Sequence, residues 1–162
     1  MNETIYTPFF LATGEVFRLL LDLDVTASAP ESMGGAADED DRVNIIIGMT
    51  GDVTGEILYR FPMGMTLEMV KIMSGMEIEE VDAFVTSALG EIANIISGNA
   101  MTGLSERSLA CDILPPRVVV GGGAGLSGDG PIVGIKVNTA IGEVELNMQL
   151  TPAPGVRAGQ PV

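Results

Sequence analysis

The sequence predicts an α+β fold, in which a largely antiparallel sheet carries two long helices packed on one face. Strand-like segments occur in pairs joined by short turns rather than in alternation with helices, which favours antiparallel pairing. Two long segments have the apolar spacing of amphipathic helices. Apolar residues make up 46% of the 162-residue chain, enough for the core of one domain. We expect that domain over residues 1–150 and a flexible tail over residues 151–162.

The first helix is expected from about Pro8 to Asp22. Thr7 can serve as its N-cap, and Pro8 suits the first turn, where a missing N–H costs little. A short extended segment follows over residues 24–29. Residues 30–42 combine Gly, Pro and an acidic run, which predicts a solvated loop.

Two hairpins account for most of the predicted sheet. Residues 43–50 are rich in β-branched side chains, and the alternating segment 55–61, ended by Pro62, forms the second arm. Residues 131–139 and 142–150 alternate in the same way and predict a closing hairpin.

The segments between the hairpins predict two helices and one strand. Thr66 is expected to cap a short helix over residues 67–74, which Gly75 ends. A long helix is expected from about Ile78 to Ser105, with acidic residues at its start, where the helix dipole favours negative charge. Residues 117–121 predict a strand. Residues 121–130 contain six glycines and predict a flexible loop without the Gly-Lys-Ser/Thr ending of a phosphate-binding loop.

The charge balance and the missing residue types exclude several classes of function. The chain has 22 Asp and Glu against 8 Lys and Arg, a net charge of −14, which disfavours nucleic acid and anionic membranes as partners. It has no His and one Cys, so a His-based triad, a cysteine-cluster zinc site and an intrachain disulfide are all excluded. Cys111 is expected to be a buried packing residue.

We expect a cytoplasmic protein that binds no metal and no cofactor of its own. The N-terminus lacks the basic region of a signal peptide, and no apolar run approaches the length of a membrane span. The acidic run Asp38–Asp41 lacks the ligand spacing of a Ca²⁺ loop, so at most weak cation binding is expected there.

The long helix contains the residues that can carry chemistry. At about 100° per residue, six positions fall within an arc of about 80°; they are Ser87, Glu91, Asn94, Gly98, Thr102 and Ser105. The opposite side is apolar and consists of Val85, Leu89, Ile92, Ile96 and Ala100. The helix is therefore expected to bury one face and to present one carboxylate and one amide among small side chains. We call these six residues the polar stripe.

An ordinary solvated helix face is the alternative interpretation of the polar stripe. Two residues argue against it, because Asn94 is a poor mid-helix residue and Gly98 costs about 1 kcal/mol relative to Ala in a helix interior. Close approach by another molecule explains both, although packing between helices explains Gly98 equally well. Asn99 is about 80° from Glu91, near the buried boundary, and is interpreted as structural.

The motif Glu91-x-x-Asn94, with Ser87 before it and Pro115-Pro116 after it, resembles the signature helix of the CheC/CheX/FliY family of chemotaxis response-regulator phosphatases. The resemblance covers about residues 5–150 and extends to further segments: Pro8-Phe9, Thr50-Gly-Asp-Val-Thr-Gly55, Gly98-Asn-Ala100 and Pro115-Pro-Arg-Val-Val-Val-Gly121. Two-site members carry a second Glu-x-x-Asn in the first helix, where this chain has Glu15-Val-Phe-Arg18. The chain is therefore most similar to the single-site CheX type, which forms a homodimer whose sheets join at a strand.

The resemblance implies a CheC/CheX-like fold and a mechanism. The substrate is expected to be the phosphoaspartate of a CheY-like receiver, which supplies the Mg²⁺. Asn94 is expected to orient the attacking water, since an amide both donates and accepts hydrogen bonds, and Glu91 to pair with the receiver's active-site Lys. Ser87, Gly98 and Thr102 are expected to form the surface on which the receiver lies.

Two other functions stay open at this point. A non-catalytic adaptor would use the same helix to bind a receiver or a switch component without accelerating hydrolysis. A structural subunit resembling those of the flagellar switch would assemble into a large complex without depending on Asn94.

Overall fold

An eight-stranded antiparallel sheet forms the centre of the fold, and three helices share a core with one of its faces. The structure is a computed structural model that describes residues 5–33, 41–122 and 125–156. The elements in chain order are α1 (Thr7–Leu21), β1 (Thr26–Ala27), β2 (Glu31–Met33), β3 (Arg42–Gly51), β4 (Val53–Pro62), α2 (Met63–Ser74), α3 (Ala83–Ser105), β5 (Cys111–Ile113), β6 (Arg117–Val120), β7 (Ile132–Thr139) and β8 (Gly142–Pro152). The predicted α+β class is confirmed.

The two predicted hairpins form the middle of the sheet. The strand order is β1-β7-β8-β4-β3-β5, with β2 also pairing with β7 and β6 also pairing with β3. The β3–β4 and β7–β8 pairs are the sequential hairpins, and β4 joins them by pairing with β8. β8 ends at Pro152, two residues into the segment expected as a tail, and residues 157–162 lie outside the described residues.

The helix starts differ from the predictions, and only α3 has a capping side chain at its N-terminus. α1 begins at Thr7 itself, with Tyr6 at the N-cap position and no side-chain cap. α2 begins at Met63 rather than after Thr66, whose hydroxyl instead donates to the Met63 carbonyl within the helix. α3 begins at Ala83 rather than at Ile78, because the Asp82 side chain accepts a hydrogen bond of 3.0 Å from the Val85 N–H. Gly75 ends α2 with φ +73°, as predicted.

Part of the predicted solvated loop over residues 30–42 is strand. Glu31–Met33 forms β2 against β7, and Arg42 begins β3. Residues 34–40 lie outside the described residues. Cys111 is half-buried in β5 and packs against the core, rather than being fully enclosed.

The described part of the glycine-rich segment is anchored to the sheet. Glu56 on β4 accepts hydrogen bonds from the backbone and the hydroxyl of Ser127 and pairs with Arg117 at 3.0 Å. Burial raises the pKa of Glu56, but the Ser127 hydrogen bonds and the Arg117 charge outweigh this effect and hold it below its usual value. The Gln149 amide also donates to the Gly130 carbonyl. The sequence predicts a flexible loop here, but these contacts hold residues 125–130 in place.

Candidate functional site

The apolar side of α3 fixes how the helix lies on the sheet. All five residues predicted to face the core are at most 1% exposed: Val85, Leu89, Ile92, Ile96 and Ala100. Burying such side chains contributes about 1.5–3 kcal/mol for each large one. The predicted two-sided helix is confirmed, and its buried side determines which residues face outwards.

A buried hydrogen bond between α3 and β4 adds a polar constraint on the rotation of α3. The hydroxyls of Tyr59 and Ser97 are 2.7 Å apart, and both residues are fully buried. Desolvation raises the pKa of Tyr59 far above its usual value, so the phenol stays neutral. This pair was not predicted from the sequence, although Ser97 lies on the buried side of the helix, where a lone hydroxyl requires a partner.

The polar stripe faces away from the core, as predicted. Ser87, Glu91, Asn94, Thr102 and Ser105 are exposed and Gly98 is half-exposed. Among the described residues, the side chains of Glu91 and Asn94 have no hydrogen-bond or ion-pair partner. Both groups are therefore available to a molecule that approaches this side of α3.

Two glycines of α3 show opposite environments. A Cβ added at Gly98 would meet nothing within 4 Å, whereas one at Gly103 would lie 3.0 Å from Cβ of Pro8 on α1. Packing between helices therefore explains Gly103 and does not explain Gly98. Gly98 leaves the surface beside Asn94 flat, as close approach by another molecule requires.

Asn99 lies near the buried boundary, as predicted, but its interpretation as a structural residue is wrong. Asn99 is exposed, and the described residues offer its side chain no hydrogen-bond partner. The buried side of the helix begins at Ile92, about 20° further around the axis.

The sequence predicts that only small side chains surround Glu91 and Asn94, and this prediction is wrong. Phe84 and Ile95 lie about 20° and 40° from Glu91 on the same helix, and both are exposed. They line a groove of about 490 Å³ with Ser87, Ala88, Glu91 and Ile92 of α3, Leu20 of α1, and Val70, Met73 and Ser74 of α2. We call it the apolar groove. The positions of Phe84 and Ile95 on the outward side of α3 could have been predicted from their spacing in the sequence. The residues that α1 and α2 contribute to the groove could not.

The first helix offers no second amide in the corresponding position. Glu15 and Arg18 are exposed on α1, and the Arg18 guanidinium pairs with the carboxylate of Asp24 at 3.0 Å. The described part of the chain thus presents one Glu-x-x-Asn site.

The described residues hold no candidate metal site. No three acidic or cysteine side chains among them converge as metal ligands would. Of the acidic run expected to bind cations weakly at most, residues 38–40 lie outside the described residues. None of the described helices combines the length and the hydropathy needed to cross a membrane.

Comparisons with solved structures first define the class of domain. A chemotaxis protein CheX from Desulfovibrio desulfuricans superposes with a TM-score of 0.82 at 28% identity, over 91% of this chain and 99% of that chain. The CheX of a CheX–CheY–BeF₃–Mg²⁺ complex from Borrelia burgdorferi gives a TM-score of 0.71 at 23% identity, over 90% and 96% of the two chains. The fold, together with one exposed Glu-x-x-Asn helix, is that of a CheC/CheX-like domain.

Sequence comparisons then give the family. Residues 43–137 match the family described as "Chemotaxis phosphatase CheX". A relative from Thermotoga maritima named "CheY-P phosphatase CheX" is 27% identical over 156 residues, which are 96% of this chain and 99% of the relative. The chain belongs to the CheX family, as the resemblance of its motifs predicts.

Replacing Gly98 by Ala tests whether this glycine is unfavourable for folding. We expect G98A to raise the free energy of unfolding by about 1 kcal/mol, because alanine is a better helix former and its Cβ enters open space. Denaturant titration measures the change. G103A is the matched control, whose Cβ would crowd Pro8, so its gain should be smaller or negative. An equal gain in both variants would contradict the assignment of Gly103 to helix packing.

Proposed function

We propose that this protein is a phosphatase that hydrolyses the phosphoaspartate of a CheY-like receiver, with Asn94 orienting the attacking water. The observation that carries the proposal is the exposed pair of Glu91 and Asn94, which has no partner among the described residues, on a helix whose rotation the core fixes. The names of the relatives support the substrate class. The Thermotoga maritima relative is a CheY-P phosphatase, and the Borrelia burgdorferi CheX forms a complex with CheY, BeF₃ and Mg²⁺.

The chemistry requires positioning rather than a nucleophile from this chain. Water attacks phosphorus as the bond between phosphorus and the aspartate oxygen breaks, which releases inorganic phosphate and the aspartate carboxylate. The side-chain carbonyl oxygen of Asn94 accepts a hydrogen bond from the water. The side-chain NH₂ of Asn94 donates a hydrogen bond to a phosphoryl or water oxygen. Holding the water in line supplies much of the rate enhancement that such a reaction needs.

Glu91 anchors the receiver in this proposal. Its carboxylate pairs with the active-site Lys of the receiver, which fixes the register that brings Asn94 to the phosphoryl group. Ser87, Gly98 and Thr102 form the adjoining contact surface, which carries no long side chain. The receiver supplies the Mg²⁺ that neutralises the phosphoryl charge, and this chain binds no cofactor. The cytoplasm, where such a receiver is found, is the proposed location.

Replacing Asn94 by Ala tests the assignment of the water-orienting group. We expect N94A to lower kcat about 100-fold, because the water loses its orientation, while its Kd for the receiver changes little. The assay follows phosphate release from CheY-type receivers of the organism that makes this chain, each phosphorylated with acetyl phosphate. N99A is the matched control, since Asn99 is an exposed amide on the same helix about 140° away, and it should retain wild-type rates.

Two results would contradict this assignment in different ways. If N94A releases phosphate as fast as the wild type, Asn94 does not orient the water. If the wild type binds a receiver but leaves hydrolysis at the receiver's own rate, the protein is an adaptor rather than a phosphatase.

Replacing Glu91 by Gln tests the ionic anchor. We expect E91Q to raise KM about tenfold, because a charge-assisted hydrogen bond to Lys is replaced by a neutral one. The wild-type KM should rise with salt concentration, and that rise should be smaller in E91Q, since salt screens the lost interaction. If KM depends equally on salt concentration in both proteins, Glu91 does not make the ionic contact.

We further propose that the protein is a homodimer joined at the edge formed by β6. In the described chain, β6 pairs only with β3, and it contains the exposed residues Val118 and Val120. An apolar strand with an unpaired edge favours pairing with a second strand. Sedimentation at micromolar concentration should show a dimer for the wild type and a monomer for V120E. A wild-type monomer would contradict the proposal.

A further inference from the structure

The apolar groove lies directly beside the proposed catalytic pair. Glu91 and Ser87 belong to both the groove and the polar stripe. Phe84, Ala88 and Ile95 lie on one side of Glu91 around the helix axis, and Asn94 lies on the other side, about 60° away. A protein that approaches Asn94 and pairs with Glu91 therefore reaches the edge of the groove.

The walls of the groove expose large apolar side chains from all three helices. Phe84 is 48% exposed, Met73 is 41%, Leu20 is 38% and Ile95 is 37%. Contiguous exposed apolar surface of this kind is typical of sites of protein association. Methionine adds adaptability, because its unbranched thioether side chain fits partners of different shape.

The segment that joins two walls of the groove is acidic, and we call it the rim. Residues 75–82 connect Met73 and Ser74 on one wall to Phe84 on the other, and this segment contains Glu77, Glu79, Glu80 and Asp82, all exposed. Lys71 on α2 is paired with Glu77 at 3.1 Å. A partner that fits this rim brings positive charge. A second copy of this chain, with its net charge of −14, would instead bring like charge to it.

We propose that the apolar groove binds a large apolar side chain, flanked by Lys or Arg, on the surface of the receiver next to its phosphorylation site. The proposal rests on the proposed function and adds the element that selects and holds the receiver. Asn94 acts on the reacting water, whereas Phe84, Met73 and Ala88 contribute affinity. Changes in the groove therefore affect KM and Kd, and a change at Asn94 affects kcat.

Variants that shorten the groove walls or fill the groove test the proposal. The probe is a CheY-type receiver of the same organism, activated with BeF₃ and Mg²⁺ for binding and phosphorylated with acetyl phosphate for hydrolysis. We expect F84A and M73A each to raise Kd and KM about fivefold, as apolar anchor residues do, and A88E to raise both further by occupying the groove. L11A is the matched control, because Leu11 is exposed on α1 outside the groove, and it should leave Kd and KM unchanged.

The outcomes separate this proposal from the proposed function. If N94A abolishes hydrolysis while F84A, M73A and A88E keep the wild-type Kd and KM, the phosphatase assignment stands and the groove is not the docking element. If no receiver binds the wild type, both proposals fail. If A88E changes the sedimentation of the free protein, the groove holds a second copy and the proposal is overturned. If the wild type binds without hydrolysing and the groove variants weaken binding, the groove is the docking element of an adaptor.

Discussion

The burial of one side of α3 against the sheet is the constraint on which the candidate site depends. Five apolar residues and the Tyr59–Ser97 hydrogen bond hold the helix in a single rotation. A rotation by one residue, about 100°, would leave Ser97 without Tyr59 and move the Asn94 amide away from its outward position. The core therefore determines where the amide and the carboxylate point. Neither group has a hydrogen-bond partner among the described residues, so both keep their hydrogen-bonding capacity for a partner.

Glu91 stands at the boundary between two kinds of surface on the same rigid helix. It is the only charged residue between Ala83 and Ser105. On one side of it lie Asn94 and the flat surface at Gly98; on the other lie Phe84 and the apolar groove. The two proposals thus assign rate and affinity to neighbouring faces of one helix. Because a helix is stiff over this length, a partner seated in the groove is held at a fixed distance from Asn94.

The sequence was most informative where burial is one-sided. The faces of α3 follow from the spacing of its apolar residues, since a helix repeats every 3.6 residues. The predicted start of α3 is wrong, because Glu79, Glu80 and Asp82 are all suitable residues for a helix N-terminus. Only the hydrogen bond from the Val85 N–H to the Asp82 side chain identifies the cap. The groove could not be predicted, because tertiary packing brings Leu20 and Met73 to α3 from other helices.

The acidity of the chain argues for a divided active site. α3 contains no Lys or Arg, so nothing on it attracts a phosphoryl group, and Glu91 repels one. A small acyl phosphate in solution would gain little from this surface. A phosphoaspartate held beside the Lys and Mg²⁺ of a receiver has its charge already neutralised, and Glu91 then finds a cation to pair with. The proposed function places the positive charge on the receiver, which restricts the proposed chemistry to a protein-bound phosphoaspartate. In that proposal this chain needs only an amide, a carboxylate and a surface that fits.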